Sequence, residues 1–228
     1  MFQSIQIDPA CKFQVASLPA ELTWNDRQFA DAWIRHPMER HRVWMIKRWV
    51  ETPRWQQAYG ANYSYTGSRN NALPIPQDWR LLLEWAQSEI DHRLNGLLLN
   101  WYEGRDHYIG AHHDSTKSLV HGSPIVTVSF GETRVFRLTR GKGLDRCVRD
   151  FPAIGGTVFV MPWNTNKVWK HEVVKSARNT GRRISVTFRA FEDGVLPPQS
   201  YFERTEDVAE MTNARSDLPA VATEAASV

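Results

Sequence analysis

Seven short apolar segments in the second half of the chain constrain the fold more than any other feature of the sequence. They are rich in β-branched and aromatic residues and are separated by Gly, Pro and Asn. The segments are residues 97–102, 108–111, 125–130, 134–138, 157–161, 168–174 and 184–191. Strands of this length and spacing are typical of an antiparallel sandwich or jelly roll, and we predict such a core.

Two amphipathic segments precede this run of strands. The first covers residues 24–35, with Thr23 as its predicted N-cap, and the second covers residues 78–93. In the second segment Leu82 and Ala86 recur at helical spacing. Helices followed by strands are the order of an α+β fold, so we predict that the two helices buttress one sheet of the core.

The length of 228 residues predicts one domain with a substantial core. We assign that domain to residues 1–193 and expect residues 194–228 to form an acidic, partly disordered tail. The two cysteines, Cys11 and Cys147, give no disulfide framework and indicate reduced thiols in a cytoplasmic protein. We find no membrane-spanning apolar run and no secretory signal, and we expect a monomer.

The positive charge of the chain is concentrated in its body. The formal net charge is +3, and the tail holds six acidic and two basic residues, so the remainder carries +7. Residues 36–55 interleave Arg and Lys with three Trp residues. A basic body suits a polyanionic partner such as nucleic acid, and it suits an ordinary solvated surface equally well.

Two histidines and one aspartate suggest a metal site. His112 and Asp114 are two residues apart, so in an extended segment their side chains point the same way. His171 lies in a different predicted strand and must fold across to reach them. Two imidazoles and a carboxylate form the facial triad of non-haem iron(II) oxygenases, although zinc accepts the same ligands.

Two arginines on the last predicted strand indicate an anionic ligand. Arg183 and Arg189 are six residues apart, so both lie on the same face of the strand. Guanidinium groups on a mainly apolar face are costly unless they are paired. A dicarboxylate held by bidentate contacts would pair them, and so would Asp or Glu side chains of the protein itself.

The order and spacing of several motifs resemble one known family, the AlkB-like iron(II)/2-oxoglutarate dioxygenases. The similarity extends from about Thr52 to Phe191. The motifs that carry it are Pro53-Arg54, Tyr59-Gly60, residues 63–67, Asn100-Trp101-Tyr102, His112-X-Asp114, Ser129-Phe130-Gly131, Arg134-X-Phe136, residues 156–161, His171 and residues 183–189. Each motif alone is weak, but their joint pattern is specific.

The resemblance implies a double-stranded β-helix core with Fe(II) at the three metal ligands named above. Arg183 and Arg189 would hold the two carboxylates of 2-oxoglutarate. Asn100 and Tyr102 would hydrogen-bond to the same cosubstrate, and dioxygen would take the remaining iron position. The family reaction yields succinate and carbon dioxide, and oxidation of an N-methyl group releases formaldehyde.

For the substrate, the resemblance implies an alkylated nucleobase flipped out of DNA or RNA. Tyr65 and His112 would sandwich the base, Tyr63 would be a polar neighbour, and Arg54 with residues 36–55 would meet phosphates. Three alternatives stay open. The two tyrosines pack as core, the enzyme oxidises a small metabolite or a protein side chain, or the chain is a binding module without activity.

This sequence departs from the family pattern beside the metal ligands. Many nucleobase demethylases follow the iron-binding aspartate with an acidic residue that meets the exocyclic amine of the base. Here Asp114 is followed by Ser115-Thr116-Lys117, and Ser185 stands where some members have an asparagine between the two arginines. The identity of the alkylated base therefore stays open.

Overall fold

The computed structural model describes residues 1–45, 47–65, 68–178 and 181–193. The predicted acidic tail lies outside these described residues. No helix within the described ranges is long and apolar enough to cross a membrane. The helices are α1 (Asp26–Trp33), α2 (Arg80–Glu89) and α3 (Trp163–Val168).

The described part of the chain forms two large sheets and two isolated hairpins. Its strands are β1 (Gln3–Asp8), β2 (Cys11–Ser17), β3 (Arg42–Met45), β4 (Arg48–Glu51), β5 (Trp55–Tyr59), β6 (Tyr63–Tyr65), β7 (Ser68–Asn70), β8 (Ala72–Leu73), β9 (Gly96–Glu103), β10 (Ile109–His112), β11 (Ile125–Gly131), β12 (Arg134–Arg140), β13 (Cys147–Ala153), β14 (Thr157–Met161), β15 (Lys170–Val173) and β16 (Arg182–Arg189). An eight-stranded sheet has the order β1-β2-β14-β11-β16-β9-β5-β8, and a four-stranded sheet has the order β10-β15-β12-β13. The hairpins are β3–β4 and β6–β7. The predicted α+β class with a jelly-roll core is confirmed.

Strand β9 shows how the eight-stranded sheet separates two cores. Leu99 and Trp101 are fully buried on the face that packs against α1 and α2. The Trp101 indole Nε1 donates to the carbonyl oxygen of Ala32 in α1 at 3.0 Å, which fixes that helix to the sheet. Asn100 and Tyr102 lie on the opposite face because side chains alternate along a strand, and this face looks toward the four-stranded sheet.

Strand β16 follows the same alternation beside β9. Ile184, Val186 and Phe188 are buried in the core under the helices. Arg183 and Arg189 lie on the other face, as their spacing predicts, and both are buried there. The pairing of β16 with both β9 and β11 leaves this strand no exposed edge, so its polar side chains are held in the interior between the sheets.

The first helix begins later than the sequence indicates. The predicted N-cap Thr23 is wrong, because Asn25 caps the helix. The Asn25 side chain accepts from the Gln28 backbone N–H, and the Gln28 side chain accepts from the Asn25 N–H, each at 3.0 Å. This reciprocal capping box satisfies two backbone donors and sets the start of α1 at Asp26.

The segment 168–174 is only partly a strand. Val168 ends α3, and strand β15 starts at Lys170. Two partly buried contacts hold the end of this short helix against strands β1 and β2. Thr165 Oγ1 donates to the Lys12 carbonyl at 2.6 Å, and the indole of Trp169 donates to Asp8 Oδ2 at 2.6 Å. Both contacts join residues far apart in the chain, so local periodicity carries no sign of them.

Candidate active site

His112, Asp114 and His171 come together between the two sheets. His112 ends β10 and lies directly opposite His171 in β15, so the strand pairing itself brings the two imidazoles together. One ligand atom from each of the three residues falls within a group no more than 4.8 Å across. Asp114 Oδ1 lies 3.5 Å from His112 Nε2 and 3.7 Å from His171 Nε2.

The protonation states of these groups suit a metal ion. Burial, followed by the proximity of His112, lowers the pKa of His171 to about 3, so its imidazole is neutral at neutral pH. Burial alone would raise the pKa of Asp114, but Arg189 and the two histidines outweigh it and hold this pKa well below its usual range. His112 Nδ1 lies 2.8 Å from the Gly110 carbonyl, and donation there leaves the Nε2 lone pair facing Asp114.

Arg189 forms an ion pair with the aspartate of this cluster. Its Nε and Nη2 atoms lie 2.9 Å and 2.6 Å from Asp114 Oδ2. The sequence left open whether the arginines pair with a ligand or with the protein, and for Arg189 the structure shows a protein carboxylate. The pair holds Oδ2 and leaves Oδ1 directed at the two histidines, so Arg189 orients the carboxylate as a metal ligand.

Arg183 differs from Arg189, because no carboxylate of the described residues pairs with it. Its side chain is fully buried, and Nη2 donates to Ser129 Oγ at 2.9 Å. Among the described residues, Nε and Nη1 have no hydrogen-bond partner. The guanidinium carbon lies 5.0 Å from the centre of the Tyr102 ring. A buried cation with two unused donors is costly unless a ligand accepts from them, and a carboxylate is a suitable acceptor.

A cavity of about 540 Å³ joins these groups. Its walls include nine of the ten predicted site residues: Arg54, Tyr63, Asn100, Tyr102, His112, Asp114, His171, Arg183 and Arg189. The side chain of the tenth, Tyr65, lies outside the described residues. Tyr63 is buried, and its ring packs against Phe191 at 5.8 Å and over the Arg189 guanidinium at 4.5 Å. Tyr63 therefore combines a core contact with a position on the cavity wall.

Arg54, which is expected to contact phosphates, lies in the interior of the protein. Its side chain is buried, with 5% of its surface exposed. Nε donates to Asn100 Oδ1 at 2.7 Å, and Nη2 donates to Gln56 Oε1 at 3.0 Å. The guanidinium is therefore engaged by acceptors of the protein in the cavity wall. Its contact with phosphates stays a prediction.

Comparison with known proteins agrees with this geometry. The family model of the 2OG-Fe(II) oxygenase superfamily matches residues 15–189. The chain belongs to this superfamily. It is 34% identical over 159 residues to human "DNA oxidative demethylase ALKBH2", covering 65% of this chain and 60% of the relative. It is 28% identical over 174 residues to the rat "Alpha-ketoglutarate-dependent dioxygenase alkB homolog 3", covering 64% of this chain and 58% of that one. The chain thus spans about three fifths of the length of these relatives.

The fold agrees with the same assignment. The solved structure of OsALKBH1 covers 83% of this chain and 99% of its own, with a TM-score of 0.53 at 14% identity, which shows the fold alone. The resemblance to AlkB-like members of the 2OG-Fe(II) oxygenase superfamily is confirmed. Iron(II) and 2-oxoglutarate are the groups that this superfamily implies.

The residues present fit both groups. Two imidazoles and one ionised carboxylate place their ligand atoms within 4.8 Å of one another, and this donor set suits iron(II) with open positions. The unused donors of buried Arg183 lie on the wall of the same cavity and suit one carboxylate of a dicarboxylate cosubstrate. The Arg189 contact with Asp114 makes Arg189 the weaker candidate for the second carboxylate.

Sequence reasoning missed Asn166, which holds the loop that carries the aspartate ligand. This residue of α3 is 1% exposed. Its Oδ1 accepts from the Asp114 backbone N–H at 2.9 Å, and its Nδ2 donates to the Asp114 carbonyl at 3.1 Å. His113, which the sequence left without a role, has its Nδ1 against the Asn166 carbonyl. The Asn166 amide thus fixes both the backbone N–H and the backbone carbonyl of Asp114. The third metal ligand, His171, follows Asn166 by five residues in the chain.

We expect Asn166→Ala to weaken metal binding about 10- to 100-fold, because the loop carrying Asp114 loses both hydrogen bonds that fix it. Titration of the metal-free protein with Co(II), followed by visible absorption, measures this affinity. Asn164→Ala is the matched control, since Asn164 lies on the same helix and is exposed. Equal Co(II) affinity in wild type and Asn166→Ala would show that these two hydrogen bonds do not serve the metal site.

Proposed function

We propose that this chain is an iron(II)/2-oxoglutarate-dependent dioxygenase that oxidatively demethylates N-alkylated nucleobases in DNA or RNA. One observation carries the proposal. The His112, Asp114 and His171 cluster and the unused donors of buried Arg183 face one cavity. A metal site alone fits many enzymes, but a metal site beside a buried cation prepared for a carboxylate fits this cosubstrate. Dioxygen as the second cosubstrate belongs to the same proposal.

The chain's own residues bind and orient the reactants in this proposal. Bound iron with 2-oxoglutarate supplies the oxidation of a C–H bond, with succinate and carbon dioxide as coproducts. Arg183 holds one carboxylate of 2-oxoglutarate, and Asn100 and Tyr102 border the same part of the cavity. Arg189 keeps Asp114 ionised and oriented. The oxidised N-methyl group leaves as formaldehyde, which restores the unmodified base.

Two observations support a nucleic-acid substrate. The relative with 34% identity is named a DNA oxidative demethylase. The basic, aromatic stretch also borders the cavity in part, because Val43, Val50 and Glu51 of the β3–β4 hairpin lie on the cavity wall. On that hairpin Trp44 and Trp49 are 48% and 60% exposed, with their rings edge to face at 5.4 Å. Exposed indoles are surfaces on which unpaired bases stack, and these two lie on a hairpin that borders the cavity.

The other charged residues of the 36–55 stretch give weaker support for a nucleic-acid substrate. Arg40, Arg42, Glu39 and Glu51 line a separate groove of about 980 Å³, where the two arginines and two glutamates balance in charge. Arg42 and Glu51 form an ion pair at 3.3 Å. The groove therefore adds no net positive charge to the substrate surface. Oxidation of a small metabolite or a protein side chain is the alternative that the substrate assay must exclude.

We expect purified protein to release formaldehyde and succinate from a subset of methylated oligonucleotides. The assay incubates the protein with Fe(II), 2-oxoglutarate and oxygen, and offers each alkylated base in single-stranded DNA, duplex DNA and single-stranded RNA. His171→Ala serves as the inactive control. Turnover of 2-oxoglutarate without formaldehyde from any oligonucleotide would overturn the nucleobase substrate and favour the metabolite or protein alternative. The monomeric state and cytoplasmic location stay predictions.

A further inference from the structure

Four polar side chains form a buried chain of hydrogen bonds that begins at the cavity wall, which Arg54 and Asn100 line. Arg54, Gln56, Asn70 and Asn100 are each 4–5% exposed. Arg54 stands at the branch point, where Nε donates to Asn100 and Nη2 donates to Gln56. We call these four side chains the Arg54 network.

The order of donors and acceptors gives this network a direction. Gln56 accepts from Arg54 through Oε1, and its Nε2 donates to Asn70 Oδ1 at 2.6 Å. The Nδ2 of Asn70 then donates to the Tyr63 carbonyl at 3.2 Å. A guanidinium has donors and no acceptor, so the Asn100 and Gln56 amides must turn their oxygen atoms toward Arg54. Their nitrogen atoms are then directed away from Arg54, and that of Gln56 meets Asn70. The network therefore holds the β6–β7 hairpin, which carries Tyr63, in one arrangement.

The other branch of the network orients an amide toward the cosubstrate. Because Asn100 Oδ1 accepts from Arg54 at 2.7 Å, Nδ2 is the end that can donate into the cavity that Asn100 lines. A carboxylate of 2-oxoglutarate requires a donor at that position. If the amide were free to turn over, its oxygen would meet the carboxylate instead and repel it. A buried cation between neutral amides thus fixes a favourable orientation.

We propose that Arg54 is a positioning residue that serves both substrates: it presents the Asn100 amide to 2-oxoglutarate, and it holds the β6–β7 hairpin so that Tyr63 stays on the cavity wall. The proposal rests on the proposed function for the cosubstrate branch. The described hydrogen bonds of the Arg54 side chain go to Asn100 and Gln56 and to none of the three metal ligands. The two branches of the Arg54 network can be removed by separate substitutions, so each branch can be tested on its own.

The test measures two quantities in parallel. The affinity for 2-oxoglutarate is measured by tryptophan fluorescence in the presence of Mn(II), and hairpin opening is measured by trypsin cleavage after Arg69, mapped by mass spectrometry. Arg54→Met removes the donors to Asn100 and Gln56, so we expect it to weaken 2-oxoglutarate binding and speed cleavage, each about tenfold. Asn70→Ala should speed cleavage and leave 2-oxoglutarate affinity unchanged. Asn100→Ala should do the reverse.

Two further variants keep the test decisive. Arg48→Met is the matched control, since Arg48 is exposed on β4, and it should change neither quantity. Arg54→Lys retains the charge without the planar fork, so smaller shifts in the same two quantities are expected even if Arg54→Met does not fold. Wild-type values of either quantity in a folded Arg54 variant would overturn the proposal. Absence of 2-oxoglutarate binding in the wild-type protein would instead overturn the proposed function and the cosubstrate branch with it.

Discussion

Replacing His171 by alanine is expected to reduce 2-oxoglutarate turnover to background. The three ligand atoms lie within 4.8 Å of one another, so each can contribute one bond to the same metal ion. With one imidazole removed, two ligands remain, and neither the affinity nor the geometry of the iron site is retained. His112→Ala should have the same effect. Succinate formation by the Fe(II)-supplemented protein measures the loss.

The aspartate ligand calls for a different substitution. Asp114 forms a buried ion pair with Arg189, so Asp114→Ala would leave a buried cation without its partner and destabilise the fold by about 3–5 kcal/mol. The two histidine variants avoid this cost and separate the chemistry from folding. His92→Ala is the control, because His92 is exposed and outside the cavity. Turnover at the wild-type rate in either ligand variant, with a normal melting temperature, would contradict the proposed iron site.

The sequence could predict the metal cluster because two of its three ligands are neighbours in the chain. His112 and Asp114 are two residues apart at the end of a strand, and that spacing alone places them together. The third ligand required only that one more strand lie alongside, which a jelly roll provides. The same reasoning placed Arg183 and Arg189 on one buried face of β16, where the structure has them.

Contacts between distant segments lay beyond this reasoning. Strand periodicity places two arginines on one face but cannot tell which of them meets a protein carboxylate. The pairing of Arg189 with Asp114 joins residues 75 positions apart. Asn166 reaches the Asp114 loop from 52 positions away, on a short helix that the sequence did not predict. Arg54 resembled a surface cation because the residues around it are basic, whereas one of its acceptors, Asn100, lies 46 positions away in β9.

These distant contacts share one physical feature: a buried side chain uses hydrogen bonds to orient a group that faces the cavity. Arg189 directs one oxygen of Asp114 to the histidines, Asn166 holds the peptide of the same residue, and Arg54 orients the Asn100 amide. Each supporting group is buried, so it is held in place before any ligand arrives. Such preorganisation avoids the cost of ordering the site during the reaction.

Arg183→Lys is expected to raise the 2-oxoglutarate concentration for half-maximal turnover about 10- to 100-fold, which corresponds to a loss of ~1.5–3 kcal/mol from one charge-assisted contact. The guanidinium is fully buried, Ser129 accepts from Nη2, and Nε and Nη1 have no partner among the described residues. Nη2 lies between these two donors, so either of them can form a planar fork with the second hydrogen of Nη2, and such a fork matches a carboxylate. An ammonium group provides only a point charge there. Arg182→Lys is the matched control, since Arg182 is the preceding residue and pairs with Glu103 on the exposed side of the strand.

The effect should be confined to the cosubstrate. Arg183 does not belong to the metal cluster, so Co(II) affinity of the Arg183→Lys protein should equal that of the wild type. Saturating 2-oxoglutarate should restore most of the turnover, because the substitution removes a binding contact and leaves the iron ligands in place. An unchanged half-saturation concentration would show that the two unused donors do not bind a carboxylate. Arg183 would then be a structural residue beneath Tyr102, and the cosubstrate would have to be held by other groups on the cavity wall.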